Sequence, residues 1–116
     1  MSEILRKDTN QRMSQIVVHN NTVYLSGQVG NKNSKDVATQ TSEVLEKIEK
    51  LLLKAGSDKK KILSATIYLS DISYFEEMNR VWDNWLPENS APARATVEAK
   101  LAFPEFLVEI CIIATT

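Results

Sequence analysis

The sequence has one cysteine, Cys111, and one histidine, His19. A single thiol excludes an internal disulfide and a thiolate metal cluster. A single imidazole excludes a site built on two, which makes a hydrolytic zinc centre improbable. With only three glycines and three prolines, there is little punctuation, and most of the chain must sit in regular elements. No apolar run approaches the ~20 residues that span a bilayer. The start, Met1-Ser2-Glu3-Ile4-Leu5-Arg6-Lys7, lacks the apolar stretch of a signal peptide, so the expected compartment is the cytoplasm. Charge of one sign is also lacking. Fourteen Lys and Arg against fifteen Asp and Glu leave a net charge of −1, which gives no footprint for nucleic acid or an anionic membrane. The run Lys59-Lys60-Lys61 is the local exception, and after Gly56 it reads as a solvated loop.

What is present is ordinary for one folded domain. The 116 residues are 43% hydrophobic and 25% charged, enough to bury one core without staples. Residues 1–116 therefore read as a single domain. Gln15–His19 has the pattern of a strand, Asn20-Asn21 that of a two-residue turn tolerating positive φ, and Thr22–Gln28 that of the return strand, with Tyr24, Ser26 and Gln28 on one face. A polar connection follows. Val37, Thr41, Val44, Leu45, Ile48, Leu51, Leu52 and Ala55 then recur at helical spacing, and Gly56 suits the residue past the helix end. Ile62–Leu69 alternates as a strand, with Leu63, Ala65, Ile67 and Leu69 together. Ser73-x-x-Glu76 has the form of a capping box for a second helix, whose stripe is Phe75, Met78, Trp82 and Trp85 and which Pro87 ends. Arg94–Ala99 and Leu107–Ala114 complete the set, with Phe103-Pro104-Glu105 in the loop between them.

The predicted order is β-β-α-β-α-β-β. Two helices with one apolar stripe each cover one face of one sheet, which gives a two-layer α+β domain. The pattern places Ser64, Thr66, Arg94, Thr96, Glu98 and Glu109 on strands, on the uncovered face. A bare face that also carries Ile113 needs a partner, so an oligomer is expected.

Recognisable catalytic machinery is absent: no nucleophile beside a base, no glycine-rich phosphate loop, no paired carboxylates. Arg94 and Glu109 remain. Arg94, between Ala93 and Ala95, offers a planar two-pronged grip for a carboxylate. Glu109, between Val108 and Ile110, is a carboxylate among apolar residues, suited to holding or activating a water. The plain alternatives are that Arg94 is a surface or ion-pair residue and Glu109 an edge-strand charge. Cys111 reads as a small buried hydrophobe, and His19, beside a turn, as exposed. Trp82 and Trp85 read as core or interface.

Several stretches together resemble the RidA (YjgF-type) imine deaminase family. They are Val23-Tyr24-Leu25-Ser26-Gly27-Gln28, Ala38-x-Gln40-Thr41, Ile67-Tyr68-Leu69-Ser70-Asp71-Ile72-x-x-Phe75-x-x-Met78-Asn79, Ala91-Pro92-Ala93-Arg94-Ala95-Thr96-Val97-Glu98 and Leu107-Val108-Glu109-Ile110. Asn79 to Trp85, with Arg94, resembles an Arg-bearing side branch rather than the archetype. The resemblance implies a chorismate-mutase-like α+β fold, a homotrimer whose sheets form a central barrel, and clefts between subunits. It implies hydrolysis of enamine and imine intermediates of the 2-aminoacrylate type to 2-keto acids and ammonia, with no metal or organic cofactor. It would make Arg94 the carboxylate-binding arginine and Glu109 the water-associated glutamate. Gly27 would supply a backbone carbonyl near that water, with Ser26 beside it. Thr96 stands where the archetype often has Cys, and Met13 where it has a pocket-lining Tyr. Two alternatives stay open: a non-catalytic binder of small carboxylates on the same fold, and a protein that acts on RNA, against which the charge balance argues.

Overall fold

The computed structural model describes residues 3–116. Seven strands form one sheet: β1 (Leu5–Thr9), β2 (Ser14–His19), β3 (Thr22–Leu25), β4 (Gln28–Val29), β5 (Ile62–Leu69), β6 (Ala93–Glu98) and β7 (Val108–Thr115). Helices α1 (Val37–Lys54) and α2 (Phe75–Trp85) pack against one face. The sheet order is β1-β2-β3-β7-β5-β6, with β4 also paired to β7. Every pairing is antiparallel except β5 with β6. That parallel pair is joined through α2, the crossover a parallel pair requires.

The expected two-layer α+β domain is present. Ile16, Val23, Ile67, Leu69, Ile110 and Ile112 from the sheet meet Val44, Leu45, Ile48, Leu52, Met78 and Trp82 from the helices, all buried. The β2–β3 turn is the expected one, with φ of 50° at Asn20 and 66° at Asn21, the paired positive values of the hairpin turn that matches strand twist. Gly56 takes φ 83° past the end of α1. At the start of that helix the Asp36 carboxylate accepts from the Thr39 amide at 2.8 Å. Hydrogen bonds from Thr39 hold its pKa below the ordinary carboxylate value.

Five expectations are corrected. The first is a missed strand. Leu5–Thr9 forms edge strand β1 beside β2. Every one of its residues is exposed, so it carries no buried alternation to read. The second concerns Thr22–Gln28, which is not continuous. Tyr24 pairs with Ile113, but Gln28 pairs with Ile110, so Ser26 and Gly27 together stand opposite Cys111. This is a β-bulge, and it puts Gln28 level with buried Ile110 rather than beside Tyr24 on the open face. The third is the face of Leu63. Ile62 pairs with Ala114 and Ser64 with Ile113, so Leu63 is the extra residue of a second bulge, pushed out to 50% exposure while Ile62 is buried. The fourth is the capping box. Asp71 caps a short turn over Ile72–Tyr74 by accepting from the Ser73 amide at 2.9 Å, and Tyr74 starts α2 without a side-chain cap. Glu76 and Glu77 in the first turn still favour the helix N-terminus. The fifth is the face of Arg94, Thr96 and Glu98. They pair with Ala65, Ile67 and Leu69, whose side chains are buried against the helices. Register partners share a face, so these three lie on the helix side of an edge strand.

The lysine run is more ordered than a free loop. Lys59–Lys61 forms one tight turn capped by Asp58, and Lys59 lies 3.6 Å from the Glu49 carboxylate.

Gln40 is fully buried on α1 and satisfied at both ends. Its Nε2 donates to the carbonyls of Ser34 at 2.8 Å and Glu105 at 2.9 Å, and its Oε1 accepts from the Leu107 amide at 2.8 Å. The side chain ties the loop after β4 to the loop before β7. Gln40→Leu keeps the volume and strands three backbone groups. At ~1–3 kcal/mol for each group left without a partner, partly recovered by water, a loss of about 3 kcal/mol is expected, measurable as a fall in the denaturant midpoint at unchanged slope.

Candidate functional site

The candidate residues form two groups on opposite faces of the sheet. On the open face, the bulge brings Ser26 and Gly27 against Glu109. A Cβ built on Gly27 would overlap the Glu109 carboxylate and lie 2.9 Å from its Cδ. The missing side chain lets the Glu109 carboxylate lie against the backbone of the bulge, and a Cβ there would push that carboxylate aside. Glu109 pairs with Tyr68 across β5 and with Val29 across β4. It is half-buried and has no hydrogen-bond or ion-pair partner among the described residues. Two residues on along the strand and on the same face lies Cys111. Burial, and then the charge of Glu109, raise its thiol pKa above the ordinary value, so it is a poor nucleophile. The Ser26 hydroxyl donates to Gln15 Oε1 at 2.7 Å. Gln28 Nε2 donates to the same oxygen at 2.8 Å and to the Ser26 carbonyl at 3.1 Å. Ser26 is thus held by Gln15 and Gln28 and leaves the neighbouring Gly27 carbonyl unengaged among the described residues.

On the helix side, Arg94 projects from β6 toward α2. Its guanidinium carbon lies 5.5 Å from the Trp82 ring centroid and 5.8 Å from that of Phe75. Aromatic faces at this range attract the cation and fix its plane. Arg94 has no ion pair or hydrogen bond among the described residues, so its donors are uncommitted. Thr96 follows on the same face, with its hydroxyl buried and without a partner.

The two groups cannot meet on one small molecule within a chain. Arg94 lies beside Ala65 and Glu109 beside Tyr68, on strands that flank β5 on either side. Two strand spacings put them about 10 Å apart laterally, on opposite faces. Met13 joins neither group. It lies 49% exposed in the β1–β2 turn, two residues before Gln15 and so toward the Ser26 end of the sheet. A groove of about 450 Å³ between α1 and α2, lined by Leu45, Glu49, Val81 and Trp85 among others, holds no candidate residue. Among the described residues, no cluster of three or more His, Cys, Asp or Glu could hold a metal. No helix among them is long and apolar enough to cross a membrane.

A family model described as Endoribonuclease L-PSP matches residues 4–116. The chain belongs to this family, the RidA/YjgF family. A RutC family protein of Haemophilus ducreyi is 46% identical over 111 residues, 96% of this chain and 95% of its own length. RutC family protein YoaB of Escherichia coli is 44% identical, again over 111 residues and 96% of each chain. The crystal structure of NMB1025, a YjgF family member from Neisseria meningitidis, superposes with a TM-score of 0.95 at 45% identity, covering 98% of this chain and 95% of that one. The family match spans every candidate residue of this YjgF-family chain.

Sequence reasoning missed four residues at these sites. Gln15 and Gln28 were read only as strand residues, yet they hold Ser26. Phe75 and Trp82 were read as helix stripe, core or interface, yet they also face Arg94. A parallel edge strand beneath α2 was the fact needed, and side-chain alternation alone does not reveal strand neighbours.

Proposed function

We propose that this YjgF-family protein hydrolyses reactive 2-imino acids of the 2-aminoacrylate type to 2-keto acids and ammonia, at composite sites between the subunits of a homotrimer. The observation that carries the reading is the division of labour within one chain. A carboxylate-binding guanidinium stands uncommitted on one face, and a water-holding carboxylate stands against a backbone carbonyl on the other. Each half is incomplete alone, and a neighbouring copy supplies the missing half. Tyr24 and Ile113 lie exposed on the open face at 45% and 36%, which fits a face that three copies would cover against one another.

In this mechanism Arg94 holds the substrate carboxylate in its planar fork, with the Thr96 hydroxyl beside it. Glu109 and the Gly27 carbonyl of the neighbouring copy position a water on the C=N carbon, and Glu109 takes its proton as the C–O bond forms. The nitrogen is protonated, the C–N bond breaks, ammonia leaves, and the hydroxyl proton is lost as the keto acid forms. General acid–base help of this kind contributes ~10²–10⁴-fold, sufficient for a reaction that also proceeds unaided. The residues named require neither a metal nor an organic cofactor, and the cytoplasm, where amino-acid metabolism generates such imines, is the compartment this reading implies.

The test is an amino-acid oxidase coupled to imine disappearance across several amino acids. Faster decay with the protein than without it is expected, and no acceleration for any imine leaves the binder reading in front. Met13 favours that second reading, because an apolar side chain stands where the archetype offers a phenol. Met13→Tyr is therefore expected to leave the melting temperature unchanged and to raise turnover or alter preference among imines. A variant identical to the parent on every imine would remove Met13 from the pocket. The family description raises cleavage of RNA, but a net charge of −1 offers little attraction for a polyanion, so no cleavage of a generic RNA is expected.

A further inference from the structure

Among the described residues, two buried side-chain atoms lack a hydrogen-bond partner: Thr96 Oγ1 and Asn79 Oδ1. Thr96 belongs to the site already described. Asn79 lies on α2, the helix whose Phe75 and Trp82 face Arg94. On α2 it lies four residues after Phe75 and three before Trp82, so all three share one flank of the helix. Phe75 and Trp82 are the rings over which the Arg94 guanidinium lies. Asn79 is therefore bracketed by the residues that frame Arg94. The opposite flank of α2, with Val81 and Trp85, faces α1 instead. A buried acceptor left unpaired costs ~1–3 kcal/mol, and such atoms are few in folded chains. An unsatisfied carbonyl on the helix flank that carries both rings facing Arg94 marks a place where a ligand held by Arg94 can bring the missing donor.

We infer that Asn79 is a specificity residue that reads an N–H donor on the ligand whose carboxylate Arg94 holds. The inference rests on the carboxylate reading of Arg94 and extends it to the ligand's second functional group. Arg94 supplies only donors and so recognises the carboxylate. The Asn79 carbonyl supplies only acceptor capacity. Together they select a short 2-substituted acid with nitrogen next to the carboxylate-bearing carbon, either an imine or enamine N–H. A 2-keto acid presents an acceptor at that position, which meets the Asn79 carbonyl lone pair against lone pair. The same contact therefore favours the nitrogen-bearing substrate and weakens the hold on the keto acid product, which assists release.

The probes are oxamate and pyruvate, two anions of nearly the same shape that differ in an amide NH₂ against a methyl group. Titrated into the intact protein, oxamate should bind about tenfold more tightly, the ratio expected of one hydrogen bond. Asn79→Leu, close in volume, should erase that ratio by weakening oxamate and, with the lone-pair clash gone, should hold pyruvate at least as tightly as the parent protein does. Asn79→Asp retains an acceptor and should retain the oxamate preference. It serves as the second variant should the leucine protein fail to fold. Equal affinities in the parent protein overturn the inference, as does a preference that survives in Asn79→Leu or vanishes in Asn79→Asp. Pyruvate binding without an oxamate preference sinks only the role of Asn79. Binding of neither anion removes the carboxylate site itself and the inference with it.

Discussion

Arg94→Ala is expected to abolish both 2-keto acid binding and imine hydrolysis. The guanidinium is the group assigned to the carboxylate in its half of the site, and its donors are uncommitted among the described residues. Removing one partner of a desolvated charge pair costs on the order of 2–5 kcal/mol, between roughly 30-fold and several thousand-fold in affinity. Pyruvate or 2-ketobutyrate binding at millimolar concentration should disappear from a calorimetric titration. Arg94→Lys should rescue little, because an ammonium has neither the planar fork nor the flat face that lies against Trp82 and Phe75. Folding should survive, since the guanidinium's contact with two rings contributes only ~0.5–1 kcal/mol at a partly exposed site. Retained turnover in Arg94→Ala refutes the clamp.

Mixing two inactive variants is expected to restore activity. Glu109→Gln keeps the side-chain shape but cannot take a proton, so turnover should fall by ~10²–10⁴-fold while keto acids still bind. Arg94→Ala fails at the other half. Because the two residues lie on opposite faces of one sheet, each proposed site takes its arginine from one subunit and its glutamate from the next. In randomly mixed trimers, about a quarter of such head-to-tail contacts combine two intact halves. Co-refolding the variants in equal amounts should therefore return about a quarter of parental activity per site. Each homotrimer alone should stay near background, and sedimentation should give three times 13.1 kDa. A mixture no more active than its components would place both residues in the same subunit's site and end the composite reading.

How far these sites could be read in the sequence follows from what alternation records. It records burial on one side, so α1, α2, β2, β5 and β7 were legible, and so was a helix layer on one face. It does not record neighbours. Nothing in Ala93–Glu98, none of it fully buried, reveals that the strand runs parallel to β5 at the sheet edge, so Arg94 and Thr96 were assigned to the wrong face. It also fails where a strand has no inside. Leu5–Thr9 carries three consecutive charges, Arg6, Lys7 and Asp8, with every position exposed. It fails at bulges too, because an extra residue such as Leu63 leaves composition unchanged while reversing which face each neighbour takes. Candidate residues were legible where residue type was distinctive, at Arg94 and Glu109, and at Gly27 through the family resemblance. The supporting Gln15, Gln28 and Asn79 were not, because an amide shows its purpose only through the groups around it.

The two bulges flank the same strand. Ser26-Gly27 stands on one side of β7 and Leu63 on the other. A ladder without irregularities can slide, and a slip of one residue would turn Glu109 inward and bring Ile110 out. Here such a slip would have to carry an unpaired residue past its partner on both sides at once. The bulges act as a pair of detents that lock β7 in frame. An insertion or deletion of one residue between Val108 and Ile112 should therefore be far more damaging than any single substitution there. By the same logic the address of the carboxylate is set by the ladder and not by the outward side chains beside it.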